Sequence, residues 1–244
     1  ELAGALLFGD KIPFRMPLEK TSNAADLSQR LEPRLEALTY FMLGLAHYNN
    51  DFTAQAIESL TLAIESMEAP PPNLPQDEKA PGLGVLYYFL GTAWTRQANY
   101  EADFDARLEA LENASEKYQT ALEKTDHQYA RAYLGLGNLA LALATYFPEI
   151  DPDLLEEAID QYTHVLELME AAGSSSAYLA EKAHFNLGLA RVLLEKYSFP
   201  ETCPDPEAIE HLEQVLRARD AQPDAPVLQE IAARASFQLG ALYL

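Results

Sequence analysis

Five histidines, 38 acidic residues and a single cysteine are the groups through which this sequence could do chemistry. Metal binding comes first. A zinc-protease helix needs two histidines four residues apart with a glutamate beside the first, so that both imidazoles share one face. His47, His127, His164, His184 and His211 never take that spacing. Cys203 stands alone, so an intrachain disulfide and any site built on paired cysteines are excluded. Its acidic neighbours, Glu201 and Asp205, raise a thiol pKa and do not activate it. Carboxylates pair at helical spacing along the whole chain, yet nothing in the pattern buries one of them to make a general acid. The run Ala171-Ala172-Gly173-Ser174-Ser175-Ser176 lacks the lysine and the spacing of a phosphate-cradling loop. It reads as a helix-ending glycine followed by a linker. His47 and His184 occupy large-residue slots of helices and read as packing, whereas His164 and His211 lie on acidic helices and read as surface residues. Asn113-Ala114-Ser115 fits a glycosylation sequon but falls on a helix seam. The expectation is a chain with no catalytic residues, no metal and no cofactor.

Charge narrows the partners. Seventeen Lys and Arg against 38 Asp and Glu leave a formal net charge of -21, which repels phosphate backbones and anionic lipid headgroups. Nucleic acid is therefore excluded as a partner. With 48% apolar residues the charge must sit on the surface of a folded core. The longest apolar stretch, Leu134–Tyr146, is interrupted by Gly135, Gly137 and Asn138 and falls short of the ~20 residues of a membrane-spanning helix, so direct membrane insertion is excluded as well. The cell compartment stays open.

The elements that position these residues emerge from self-similarity. Five segments align on a Leu-Gly pair: Leu43-Gly44, Leu90-Gly91, Leu136-Gly137, Leu187-Gly188 and Leu239-Gly240. Three residues before each pair stand Tyr40, Tyr87, Tyr133, His184 and Ser236. The first four segments are each followed by a small–large–small pattern, namely Ala56-Leu60-Ala63, Ala114-Tyr118-Ala121, Ala158-Tyr162-Val165 and Ala208-Leu212-Val215. Steps of four and three place each trio on one helical stripe. Glycine on one helix and alanine on the next let two antiparallel helices approach to ~8–10 Å. Each unit is thus expected to be a helical hairpin with an interlocking seam.

This pattern resembles the tetratricopeptide repeat family. Tyr40, Leu43, Gly44, Ala56, Leu60 and Ala63 match at the family's normal spacing, while in the next three units the alanine comes later, so extra residues lengthen helices or turns. The resemblance implies an all-α, right-handed superhelical solenoid of antiparallel hairpins, about four and a half repeats with long insertions. Expected repeats cover residues 34–69, 84–126, 129–170, 177–220 and a truncated 228–244. Residues 1–32 are expected to form a degenerate leading repeat or an N-terminal cap. Because helical arrays finish in a polar cap and the fifth unit stops at Leu244, a longer parent protein is expected.

By the same resemblance the first helix of each hairpin lines a concave groove. One residue after the aromatic slot come Phe41, Tyr88, Leu134, Phe185 and Phe237, and one after the glycine come Leu45, Thr92, Asn138, Leu189 and Ala241. Asn138 takes the place where this family often uses an asparagine to hold a ligand's backbone amide. Two residues before the aromatic slot stand Leu38, Val85, Arg131, Lys182 and Arg234. The last three give the groove a basic C-terminal rim beside an apolar N-terminal half. The expected function is a non-catalytic scaffold for a protein or peptide, including partners with acidic residues. The lysine–asparagine set with which chaperone-binding members grip a terminal carboxylate is absent, since Phe41, Leu45 and their equivalents replace most of it. A regulatory ligand-sensing segment of a larger signalling protein is the alternative reading, and an enzyme with its site on the insertions is a third.

Overall fold

The computed structural model describes residues 33–68, 82–146, 150–173, 178–198 and 205–242. Those residues form nine α-helices and no strand. They are α1 (Pro33–Asn49), α2 (Thr53–Glu68), α3 (Leu83–Tyr100), α4 (Phe104–Glu123), α5 (Ala130–Ala144), α6 (Pro152–Ala172), α7 (Leu179–Ser198), α8 (Pro206–Ala221) and α9 (Pro226–Leu242). The leading segment 1–32, the proline-rich run 70–81 and Cys203 lie outside the described residues.

The helix boundaries follow from local chemistry. Asp103, Asp151 and Asp205 cap α4, α6 and α8 by accepting bonds from the backbone N–H groups of Ala106, of Asp153 and Leu154, and of Glu207. Such a cap satisfies donors that the helix itself leaves open. Pro152 and Pro206 follow two of these caps, where a missing N–H costs nothing. Gly173 ends α6 at φ 57°, a left-handed conformation that a glycine adopts without strain, as its place before a serine run predicts.

The chain divides into two compact units, one ending at Ala132 and the other beginning at Tyr133. In the first, α1 packs on α2, α2 on α3 and α3 on α4. Its core gathers Tyr40, Leu43, Leu60, Ile64, Leu86 and Leu90. Arg96 ties the α1–α2 turn to α3 by stacking 3.6 Å over the Tyr48 ring and donating to the Tyr48 carbonyl oxygen at 2.6 Å. In the second unit α7 packs on both α6 and α8, and α9 on α8. Leu155, Tyr162, Leu187, Leu212, Val215 and Ala235 form its core, each 2% exposed or less.

The seams are where the sequence placed them. A β-carbon added to Gly44 would stand 2.7 Å from Leu60, one on Gly91 2.9 Å from Tyr118, one on Gly137 2.7 Å from Tyr162, and one on Gly188 2.9 Å from Leu212. Four glycines therefore meet the large residue of the following helix at distances no real β-carbon tolerates. The outward faces of the second helices carry the charge: Glu109, Glu112, Glu116, Glu123, Glu207, Glu210 and Glu213 are all exposed.

Candidate functional site

In the first unit, Ala37, Leu38 and Phe41 of α1, Met67 of α2, and Gly82, Val85 and Leu86 at the start of α3 line an apolar cleft of about 340 Å³. Three of these residues, Leu38, Phe41 and Val85, occupy positions that the sequence assigns to the first-helix face. Leu38 is 53% exposed beside buried Ala37. Behind the cleft Phe41 meets Phe89 with ring centroids 5.4 Å apart, and Tyr88 touches Phe89, Tyr118 and Tyr129 at 5.2, 5.8 and 5.4 Å. Tilted and edge-on rings of this kind fix one another's orientation. Tyr87, one helical step away, donates to Glu68 at 2.8 Å, and burial together with that carboxylate pushes its hydroxyl up to about 12.

Not every expected groove residue reaches a surface. Leu45 and Thr92 are buried in the first unit, and Thr92 returns its hydroxyl to the Tyr88 carbonyl oxygen at 2.9 Å. Phe185 and Leu189 are core residues of the second unit. These four are buried in packing, and Thr92 also receives the Tyr118 hydroxyl of the following helix at 3.4 Å, so it faces the seam of its own hairpin. Leu134 is half-buried against the same core, and Phe237 of α9 is 74% exposed.

The second unit holds a polar cluster instead. Asn138 of α5 accepts a hydrogen bond from the Tyr162 hydroxyl at 2.9 Å and another from the Asn186 amide at 2.8 Å. Asn186 and Tyr162 are buried, Asn138 is half-buried, and the Asn138 side chain uses only its oxygen in this cluster. Burial drives the Tyr162 hydroxyl far above its ordinary range, so it stays a donor at all working pH. Asn186 was not singled out in the sequence, since it lies on a first helix and pairs with another first helix outside the hairpin pattern.

The three expected cations differ. Arg131 is half-buried near Tyr129, Lys182 is half-buried on α7, and Arg234 is exposed and donates to Glu230 at 2.6 Å, one helical turn earlier. His211, read from sequence as a surface residue, is instead half-buried with its Nδ1 3.0 Å from Nδ1 of His184. The pair bridges the α7–α8 seam. Burial, then the partner imidazole, lowers His184 to about 4; burial, then Arg191, lowers His211, against the opposing pull of Glu210, Glu207 and Asp205. His47 bonds Ser59 at 3.1 Å across the α1–α2 seam, and exposed His164 stacks on Tyr133. Among the described residues no three His, Cys, Asp or Glu side chains converge as a metal site. No described helix is long and apolar enough to cross a membrane.

No protein-family model and no curated protein sequence matches this chain.

Proposed function

We propose that the chain is a non-catalytic scaffold that binds a protein or peptide segment through the exposed faces of its first helices, in the manner of a tetratricopeptide-like array. The cleft carries this reading. Leu38, Phe41 and Val85, which the resemblance assigns to the groove face, line an apolar hollow of about 340 Å³, room for one or two anchor side chains of an extended or helical peptide. Four glycine seams in register support the repeat architecture. Arg131, Lys182 and Arg234 supply positive charge for acidic residues of the partner in a chain that has few cations to spare.

The test is affinity capture from the source cells, run in parallel on the native chain, a Leu38→Asp variant, and the triple reversal Arg131→Glu, Lys182→Glu and Arg234→Glu. The expected result is a polypeptide retained by the native chain and lost from both variants, each with an unchanged helical circular dichroism spectrum. The same background from all three would overturn the proposal.

A further inference from the structure

At the ends of α1 and α3 far from the cleft, the α1–α2 turn lies against the last turn of α3. Arg96 of α3 stacks its guanidinium 3.6 Å over the Tyr48 ring and donates to the Tyr48 carbonyl oxygen at 2.6 Å and to Asp51 at 3.2 Å. The Tyr100 hydroxyl reaches the same Asp51 oxygen at 3.4 Å, and Thr53 donates to Gln97 at 2.5 Å. Phe52 is thereby held alongside α3, between the two turn residues that make these contacts. Its own N–H closes on the His47 carbonyl oxygen at 3.0 Å, which fixes the turn. Both aromatic side chains nonetheless face water, Tyr100 60% and Phe52 47% exposed.

The charge around these rings is negative. Residues 49–56 and 96–107 carry four carboxylates, Asp51, Glu101, Asp103 and Asp105, against two cations, Arg96 and Arg107. The cations are turned inward: the Arg96 side chain is 11% exposed, and Arg107 donates to the carbonyl oxygens of Ala98 and Glu101 at 3.1 and 2.8 Å. The Asp51 side chain is 59% exposed and meets Arg96 and Tyr100 through Oδ1 alone. One guanidinium is therefore already held here by a ring face, a carbonyl and a carboxylate, and beside it stand a second ring and a second carboxylate oxygen. We propose that Asp51, Phe52 and Tyr100 form a docking surface for an arginine-bearing basic peptide segment of a partner protein. The incoming guanidinium lies on the Tyr100 ring, where a planar cation stacks better than a compact ammonium, and donates to Asp51. Phe52 covers the apolar stem of the arginine. Charge complementarity selects this occupant, since the four local carboxylates and a net charge of -21 repel an acidic segment and steer a cationic one. This surface is separate from the apolar cleft, so either proposal can fail without the other.

The probe is a short fluorescein-labelled peptide in which arginine alternates with glycine, compared with a lysine–glycine peptide of equal length and charge. At about 0.15 M salt the pull of distant charges is largely screened. Fluorescence anisotropy against the full chain is expected to show saturable binding, with the arginine peptide at least about threefold tighter than the lysine peptide. Phe52→Ala combined with Tyr100→Ala leaves the charge unchanged and is expected to weaken the arginine peptide at least about tenfold, whereas Leu38→Asp in the cleft should leave it within about twofold. Both rings are about half-exposed, so the circular dichroism of the double variant should hold. If it falls, Tyr100→Ser alone serves as the blocking variant. Absence of saturable binding would overturn the proposal. So would equal affinity for the two peptides or equal binding by the blocked chain, each of which would reduce the effect to charge attraction, and so would loss of binding in Leu38→Asp, which would move the site to the cleft.

Discussion

Tyr162 lies so close to Gly137 that a β-carbon on the glycine would stand 2.7 Å from one ring carbon and 2.9 Å from the next. The ring is fully buried and has nowhere to retreat. Gly137→Ala is therefore expected to destabilise the chain by about 1–3 kcal/mol, the usual cost of overpacking, despite the higher helix propensity of alanine. Gly240→Ala should do the opposite and stabilise it by up to ~1 kcal/mol, since its β-carbon meets nothing within 4 Å among the described residues. Urea denaturation of the two variants decides the matter, and a shared sign would contradict the seam.

The hairpins were legible because a glycine and an aromatic at fixed register leave a periodic trace in one dimension. Gly44 with Leu60 and Gly188 with Leu212 follow the same order of motifs, a Leu-Gly pair and then a small–large–small stripe. The faces were less legible. Leu45, Thr92, Phe185 and Leu189 lie on first helices and are buried, and the hairpin pattern does not encode which side of such a helix stays open. Asn186 with Asn138 and His184 with His211 escaped notice for a related reason. His184 reads as packing and His211 as surface, and nothing along the chain shows that two polar side chains on different helices meet.

Acidification should loosen the α7–α8 seam. His184 and His211 bind a proton less readily in the folded chain than at the ordinary value of 6.5, and His184 only at about 4. The unfolded chain therefore takes up protons first, so the stability held by the pair is complete above pH 6.5 and is lost as the pH falls through that value toward the folded pKa. Arg191 reinforces this and Asp205, Glu207 and Glu210 oppose it. His47, also lowered by burial, adds in the same direction. Between about pH 7.5 and about pH 5.5, a His211→Gln variant should lose less stability than the native chain. Parallel urea midpoints across that range would refute the assignment.

Asp205 has two tasks. It caps α8 through the Glu207 N–H at 2.9 Å and pairs with Arg191 of α7 at 3.2 Å, with both side chains about a quarter exposed. Asp103 only caps. Asp103→Ala should cost about 1 kcal/mol, and Asp205→Ala up to ~2 kcal/mol because it also leaves Arg191 with one carboxylate fewer. Thermal melts of the two variants should rank in that order.

Removing the hydroxyl of Tyr162 tests the polar cluster. Tyr162→Phe keeps the ring against Gly137 and leaves Asn138 still bonded by Asn186, so the loss should be near 1 kcal/mol and no more. Asn186→Ala should cost more than Tyr162→Phe, since it also empties a buried site. Denaturant midpoints for both variants provide the check.

Each glycine lock joins two helices that follow one another in the chain, and this shapes how the molecule reaches its native state. Loop closure between such neighbours is short, so a hairpin can form before distant segments are in place. Gly44 and Leu60 need no help from Gly188 and Leu212 to meet. Folding should begin at whichever hairpin closes first and spread to its neighbours. Replacing one locked glycine would then slow one local step while leaving the other hairpins able to nucleate.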